Sequence, residues 1–375
     1  MRLLMVSGDR QTSIGERGPF VTLLGEFARH FERIDVLCPR PARPPTVRVV
    51  EGHVHLHPAP VGRARMARWI AEEGARLVRE HEHALVTSHD YGWFYNGVGS
   101  ARLSAATGVP YVSEIHHVPG HPVAADWRER FDRRVARAYV RWARTRARAF
   151  RVVNRIEMPA LLQSWGVPRE QIVVLPSLYI DLEVFRPVDP PPPIEQDVCF
   201  VGRMVANKGL DRIVDALALL AARGTPASAL FVGQGPLQAS VRARATRRGV
   251  TARFVEWVES PAELAAIYRQ SRVVVCASTC EGGPRFTVEA MACGTPVVST
   301  RVGAMNELLV EGQNGRFAGF DAASLADALG SVLADEPARR ALGAGAQRSV
   351  QHCERVRAIQ VYAAGLQALA RGERP

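Results

Sequence analysis

Residues 190–209 read PPPPIEQDVCFVGRMVANKG. Proline fixes φ and offers no amide donor, so the run Pro190–Pro193, with Pro187 just before it, is neither helix nor central strand but a stiff extended connector. The apolar run Val198–Val201 then reads as a buried strand that ends at Gly202, and a helix follows from about Lys208 to Ala222. One domain ends ahead of this stretch and a second begins inside it.

Length agrees with that division, because 375 residues at roughly 150 per domain make two full domains. Downstream, Ala229–Val232, Arg253–Val255, Val273–Cys276 and Pro296–Ser299 alternate with helical stretches, one of them from about Phe286. Upstream, Leu3–Val6, Ile34–Leu37, Val47–Val50, Ala84–Thr87 and Pro110–Ile115 do the same. Short β-rich runs alternating with helices build a parallel α/β sheet, so two doubly wound domains are expected. The expected bounds are 1–187 for the first domain, 188–196 for the linker, 197–352 for the second domain, and 353–375 for a C-terminal helix that can cross back to the first. No repeat of 20–50 residues is visible, which removes solenoids and propellers.

Composition narrows the class further. With 47% hydrophobic and 23% charged residues, the chain can bury large cores and is not disordered as a whole. Its six cysteines form no CxxC pair, which fits a reducing compartment. The opening MRLLMVSGDR is too short an apolar run for a signal-peptide core, and no stretch approaches the roughly 18 apolar residues that span a bilayer. A cytoplasmic protein with at most peripheral membrane contact is expected.

The net charge of +11 sits mainly in the first half, where 27 basic residues face 19 acidic ones up to Val188, against 21 and 18 afterwards. Such a field attracts polyanions without choosing among phosphorylated metabolites, anionic lipids and nucleic acid. Residues 126–150 are expected to form a long cationic helix with an apolar stripe of Phe131, Val135, Ala138 and Trp142. Beside it runs a stripe of Arg130, Arg134, Arg137, Arg141, Arg144 and Arg148. Of the 48 cations Lys208 is the only lysine, a compact point charge that a planar guanidinium does not copy.

In α/β sheets ligands sit beyond the carboxyl ends of strands, and three such loops carry chemistry. In GRMVANKG, Arg203 and Lys208 bracket a strand-to-helix loop, an arrangement suited to clamping a diphosphate. The order Lys-Gly with no following Ser or Thr rules out a Walker loop. In EGGPRFTVEAMACGTP, Glu281 lies in the loop and Glu289 just inside a helix. The amides of Arg285, Phe286 and Thr287 can meet an anion there while the carboxylates accept from sugar hydroxyls. The bland alternative is that Glu289 merely complements the helix dipole. In the third loop His116 follows the strand VPYVSEI, and His89 ends the strand before it. Both suit polar work on a sugar, with His117 a further acceptor-side candidate.

Other signals carry less. Gly233-Gln-Gly235 lacks the third glycine of a dinucleotide fingerprint, so NAD is not expected. His53, His55 and His57 alternate along a strand and read as a strand face before they read as a metal site. No Asp-x-Asp is present, the nearest being Asp181-Leu-Glu183, so a metal-free phosphate site is expected.

Together the two second-half segments resemble the signature motifs of retaining glycosyltransferase family 4, Glu281-x7-Glu289 matching its E-x7-E. The likeness extends to the Gly15–Gly18 loop, His89-Asp90, the segment around His116, GVPREQIVVLP, and NELLVEGQNG. This resemblance implies a GT-B fold, two facing Rossmann-like domains with a C-terminal helical segment. It implies a nucleotide-diphosphate sugar as co-substrate, no cofactor, no metal, and transfer with retention. Arg203 and Lys208 would then hold the diphosphate, Glu289 the ribose, and Glu281 with Gly283 the donor sugar, with Gly15 and Gly18 on the donor side and His116 near the reaction centre. Two departures stand out: Glu-Gly-Gly-Pro replaces the family's Glu-Gly-Phe-Gly, and Pro176-Ser-Leu-Tyr-Ile-Asp181 replaces its Pro-Asn-Gly-Val-Asp.

The expected acceptor is a sugar or a lipid-linked or polysaccharide precursor, reached with the Arg130–Arg148 helix on an anionic membrane. A sugar-nucleotide epimerase of the same architecture is the alternative enzyme. A nucleic-acid binder would use the same helix, but that helix has little aromatic interleaving beyond Tyr139 and Trp142 and such a binder leaves the second-half motifs unexplained.

Overall fold

In the computed structural model, which describes residues 1–16 and 18–375, the chain contacts divide into two units. The first comprises Met1–Val118, Phe131–Ser177 and Val356–Pro375, and the second Pro119–Arg130 and Leu178–Arg355. The division falls at Ser177, ahead of the proline run where the sequence locates it. Leu178, Ile180 and Phe185 are buried in a core of the second unit, and Ile180 is bonded by backbone to Cys353 and Arg355. The segment before the prolines is therefore part of the second unit and not of the first, to which the expected bound at 187 assigns it.

The first unit holds an eight-stranded sheet. Its strands are β1 (Arg2–Val6), β2 (Arg33–Cys38), β3 (Val49–Val50), β4 (Val54–Pro58), β5 (Leu85–His89), β6 (Tyr111–Glu114), β7 (Ala149–Val152) and β8 (Ile172–Val174). They lie in the order β3-β4-β2-β1-β5-β6-β7-β8. Every pairing is parallel except β3 with β4. The second unit has six strands: β9 (Gln196–Val201), β10 (Ala229–Val232), β11 (Ala252–Val255), β12 (Ser271–Cys276), β13 (Val297–Thr300) and β14 (Gly315–Ala318), in the order β11-β10-β9-β12-β13-β14. Successive residues of β9 and β12 enter opposite cores: Val198, Phe200, Val273 and Val275 face one, and Cys199, Val274 and Cys276 the other. A sheet buried on both faces requires such unbroken apolar runs, which is why they are legible in the sequence.

Each sheet changes direction once. In the first unit the order reverses between β1 and β5, in the second between β9 and β12. At such a switch point the flanking loops separate and leave a crevice beyond the strand ends.

Three expectations are corrected. The helix expected over 126–150 ends at Ala143, and Ala149–Val152 is a strand. Arg146 Nη1 donates to Trp142 O at 2.7 Å, closing the helix end, and a buried strand in Ala-Phe-Arg-Val outweighs continued helix. Arg130, Arg134, Arg137 and Arg141 remain on an exposed helical face, while Arg144 and Arg148 lie beyond it. The buried stripe is Ala136, Tyr139, Val140 and Ala143, not Phe131, Val135, Ala138 and Trp142, because the Tyr139 hydroxyl is drawn inward by Asp90 (2.6 Å). Third, Val47–Val50 contributes only the short antiparallel β3, and the parallel strand is Val54–Pro58.

Candidate active site

The second unit builds its strand-end loops largely from backbone. After β9 the chain makes a single 3-10 turn, Ala206–Lys208, before the helix Leu210–Ala222 begins. Between them Gly209 adopts φ +66°, and a Cβ there would lie 2.2 Å from Ala277 O. Thr279 N donates to Asn207 O at 2.8 Å and Asn207 Nδ2 to Cys280 O at 3.2 Å, so the loops after β9 and β12 are stitched together across the switch point. The Gly233-Gln-Gly235 segment, which failed as a dinucleotide fingerprint, has a packing role instead. Gly233 has φ +126° and a Cβ on it would meet Gly202 O at 2.2 Å, and Met204 N donates to Gln234 O at 2.8 Å.

This stitching brings Lys208 and Glu281 together. The ammonium is ion-paired to Glu281 Oε1, which also accepts from Ser278 Oγ at 2.7 Å. Both side chains are largely buried, 14% and 13% exposed, and the ammonium stands 5.9 Å from the centre of the Phe286 ring. The sequence reading assigns Lys208 to a phosphate and Glu281 to a sugar without pairing them. Arg203 is exposed, with no such partner among the described residues.

Glu289 is buried in the helix Arg285–Ala292 and accepts from Tyr268 OH and Arg285 Nε, both at 3.0 Å. Burial pushes its pKa up, while the Arg285 charge and the Tyr268 and Arg285 hydrogen bonds pull it down. Phe286 is packed in the core. Thr287 does not offer itself to a ligand: it is fully buried, and its hydroxyl (2.7 Å) and its amide (3.1 Å) both donate to Pro284 O. Arg285 is a third exposed and keeps its guanidinium 5.1 Å from the Tyr179 ring centre. A Cβ at Gly283 would touch the Leu178 side chain at 3.0–3.1 Å, so the unusual Gly-Gly-Pro follows from the close approach of the segment before the linker.

In the first unit, an open cavity of about 290 Å³ lies at the β1/β5 switch point, bordered among others by Ser7, Thr12, Gly18, His89 and Tyr91. Gly15 closes a 3-10 turn over Thr12–Ile14, and Gly18 precedes the helix Pro19–Phe27. His89 is the last residue of β5 and His116 stands two residues beyond β6, their rings 4.4 Å apart. His117 is exposed. Beneath them Asp90, buried, accepts from Ser88 Oγ (2.6 Å), Ser113 Oγ (2.5 Å) and Tyr139 OH (2.6 Å). Burial drives its pKa up to about 7 against those three hydrogen bonds, with the Glu114 charge adding to the rise.

His116 is held from one side by Arg151, whose Nη1 lies 3.0 Å from its Nε2. Burial depresses the His116 pKa well below the ordinary imidazole value, and His89, Arg151 and His117 add positive charge that acts the same way. The sequence reading passed over Arg151; the one signal that could have found it is a lone arginine inside the otherwise apolar strand Ala-Phe-Arg-Val.

Of His53, His55 and His57, His57 alone meets a buried acid: its Nε2 lies 2.7 Å from Asp35, which His83, from outside that strand, meets at 2.8 Å, while His53 Nε2 meets Ala28 O at 2.7 Å. Among the described residues no three His, Cys, Asp or Glu side chains are grouped to hold a metal ion, and no helix is long and apolar enough to cross a membrane.

Two family models match the chain, the "glycosyl transferase 4-like domain" over residues 20–177 and "glycosyl transferases group 1" over residues 195–335. A D-inositol 3-phosphate glycosyltransferase of Segniliparus rotundus is 34% identical over 40% of this chain and 36% of that protein. The chain spans about half or less of the length of the first such relatives it matches. D-inositol 3-phosphate glycosyltransferase 1 of Catenulispora acidiphila is 30% identical over 92% of this chain and 89% of its own. Among solved structures, sucrose-phosphate synthase from Thermosynechococcus elongatus superposes with a TM-score of 0.79 at 22% identity, covering 99% of this chain and 98% of that one. Anabaena HepE in complex with UDP-glucose gives 0.75 at 19% identity, covering 98% and 99%. With the two switch-point sheets, the E-x7-E segment and a relative matched along nearly its whole length, the chain belongs to glycosyltransferase family 4, the group 1 glycosyl transferases, and has the GT-B fold.

Proposed function

We propose that this protein is a retaining, metal-independent glycosyltransferase that moves a hexose or N-acetylhexosamine from a nucleotide-diphosphate sugar, with UDP as the nucleotide, to a hydroxyl acceptor. The observation that carries the reading is the Lys208–Glu281 pair held at the β9/β12 switch point by two stitched loops. UDP-glucose in the complex of HepE supports the donor class.

In this reading Lys208 and Arg203 neutralise the diphosphate, Glu289 and Glu281 accept from the ribose and the transferred sugar, and Gly15, Gly18, Gly283, Arg285 and Phe286 border the donor. Breaking the anomeric C–O bond sends its electron pair to the diphosphate and leaves an oxocarbenium-like sugar. An ammonium fixed before the reaction stabilises that developing charge. The acceptor oxygen attacks C1 from the face the leaving group departs, and its proton goes to the departing phosphate oxygen. His116, with His89 and His117 nearby, belongs to the sugar and acceptor side.

The acceptor class is a sugar, a small hydroxylated phosphate such as the one for which the Catenulispora relative is named, or a lipid-linked precursor. For the last, Arg130, Arg134, Arg137 and Arg141 would meet anionic headgroups on the cytoplasmic face. Vesicle flotation with and without phosphatidylglycerol tests that part; equal recovery removes it.

The main test is transfer of radiolabel from UDP-, GDP- and ADP-sugars to added acceptors, with product stereochemistry read by NMR. Transfer with retained configuration is expected and should persist in EDTA. Label that stays on the nucleotide while its sugar is epimerised would instead identify an epimerase.

A further inference from the structure

Arg151 is among the largest fully buried side chains of the molecule, standing on β7 directly across from Glu114 on β6. Its Nη1 donates to Glu114 Oε2 at 3.0 Å and lies at the same distance from His116 Nε2. Its Nη2 donates to Pro176 O at 2.5 Å. The guanidinium stacks 3.7 Å from the ring centre of Tyr362, on the helix Arg355–Arg371, and the Tyr362 hydroxyl donates to Glu114 Oε1 at 2.5 Å. Strand, strand and terminal helix thus lock one cation against one carboxylate, and the histidine is tied to the cation.

A guanidinium has only donors and does not lose its charge in proteins. At 3.0 Å from it, Nε2 must present a lone pair, and a proton on that nitrogen would set N–H against N–H. Glu114 Oε2, 3.9 Å from Nε2, would favour an imidazolium, but its charge is already matched by Arg151. The remaining charged or titratable neighbours are the His89 ring at the end of β5 and His117.

We infer that Arg151, steadied by Glu114 and Tyr362, is a positioning residue that holds His116 as the neutral tautomer protonated on Nδ1. His116 then serves the sugar as a hydrogen-bond donor through Nδ1 and not as a general base. The inference rests on the proposed place of His116 in the transfer reaction, but its primary readout is independent of activity.

Long-range 1H–15N correlation of the histidine rings, with His116 assigned by loss of its signals in His116→Asn, tests it on the full chain. The expected result is one neutral ring, protonated at Nδ1, from pH ~8 down to pH ~5, where an unperturbed histidine titrates near ~6.5. Titration near that value, or protonation at Nε2, overturns the inference. Arg151→Met combined with Glu114→Gln removes both buried charges together, so neither is left unpaired. In this variant the His116 titration should move up, and its neutral ring should no longer be confined to the tautomer protonated on Nδ1. Tyr362→Phe keeps the ring and the Arg151 contact and should leave the tautomer unaltered. A folded double variant whose His116 signals match wild type assigns Arg151 no such role. Should the tautomer be as expected while His116→Asn keeps the wild-type kcat, the fault lies in the proposed place of His116 and not in the clamp.

Discussion

The two switch points are built from different materials. In the second unit the crevice between β9 and β12 is shaped by loop backbone: glycines let Gly202–Met204, Asn207–Gly209 and Ala277–Cys280 approach one another, and the side chains that matter stand on those loops. In the first unit the histidines rest on a buried polar floor, Asp90 with three hydroxyls and Arg151 with Glu114 and Tyr362, whose members come from separate elements. A backbone-built site is pre-formed and carries its chemistry on a few side chains that its loops bring together. A site supported by buried charge carries its chemistry on groups whose protonation the interior sets.

The largest expected effect distinguishes these two designs. Lys208→Ala removes the only lysine and should lower kcat by about 10³-fold, the scale of losing one pre-organised electrostatic contact in a transition state. The melting temperature should fall as well, because Glu281 is left largely buried with Ser278 as its remaining partner; near wild-type turnover would sink the clamp. Next, Gly209→Ala should destabilise the second unit by about 2 kcal/mol through its positive φ and the clash with Ala277 O. It should also abolish the thermal shift produced by UDP. A variant of unchanged stability would mean that the loops are not held by that contact.

The first unit is sharpened by pH. Asp90 titrates near 7 when folded, against 3.8 for the free group, so the folded state binds its proton more tightly than the unfolded one. Its contribution to stability is full below about pH 4 and declines as pH rises to about 7. Asp90→Asn should flatten the wild-type fall in melting temperature across that window, giving a variant that is relatively more stable at pH ~8. Parallel curves for the two proteins would show that the carboxyl stays ionised. Smallest is Tyr362→Phe, expected to cost about 1 kcal/mol by leaving one Glu114 oxygen with a bond fewer. Denaturant unfolding measures it, and no loss would show that the hydroxyl bond to Glu114 adds nothing to the support of His116.

Much of the second site is legible in sequence because it is local. Arg203, Lys208, Glu281 and Glu289 sit within motifs whose spacing follows from strand, turn and helix geometry. What escaped was pairwise. Glu281 meets Lys208 because the loops after β9 and β12 converge only in the folded sheet. The misplaced helix stripe at Phe131–Trp142 has the same origin: periodicity marks an apolar face, but the Tyr139 hydroxyl, a polar group needing buried partners, decided which face goes in.

By itself the sequence determined two doubly wound sheets, since strands buried on both faces must be continuously apolar, and it determined the loops that carry the cation and carboxylates, since those are short-range. Only the tertiary structure decided where the units divide and which buried charges find one another. Arg151, Glu114 and Tyr362 lie on three separate elements, and a charge in a low-dielectric interior is stable only where the fold delivers its partner.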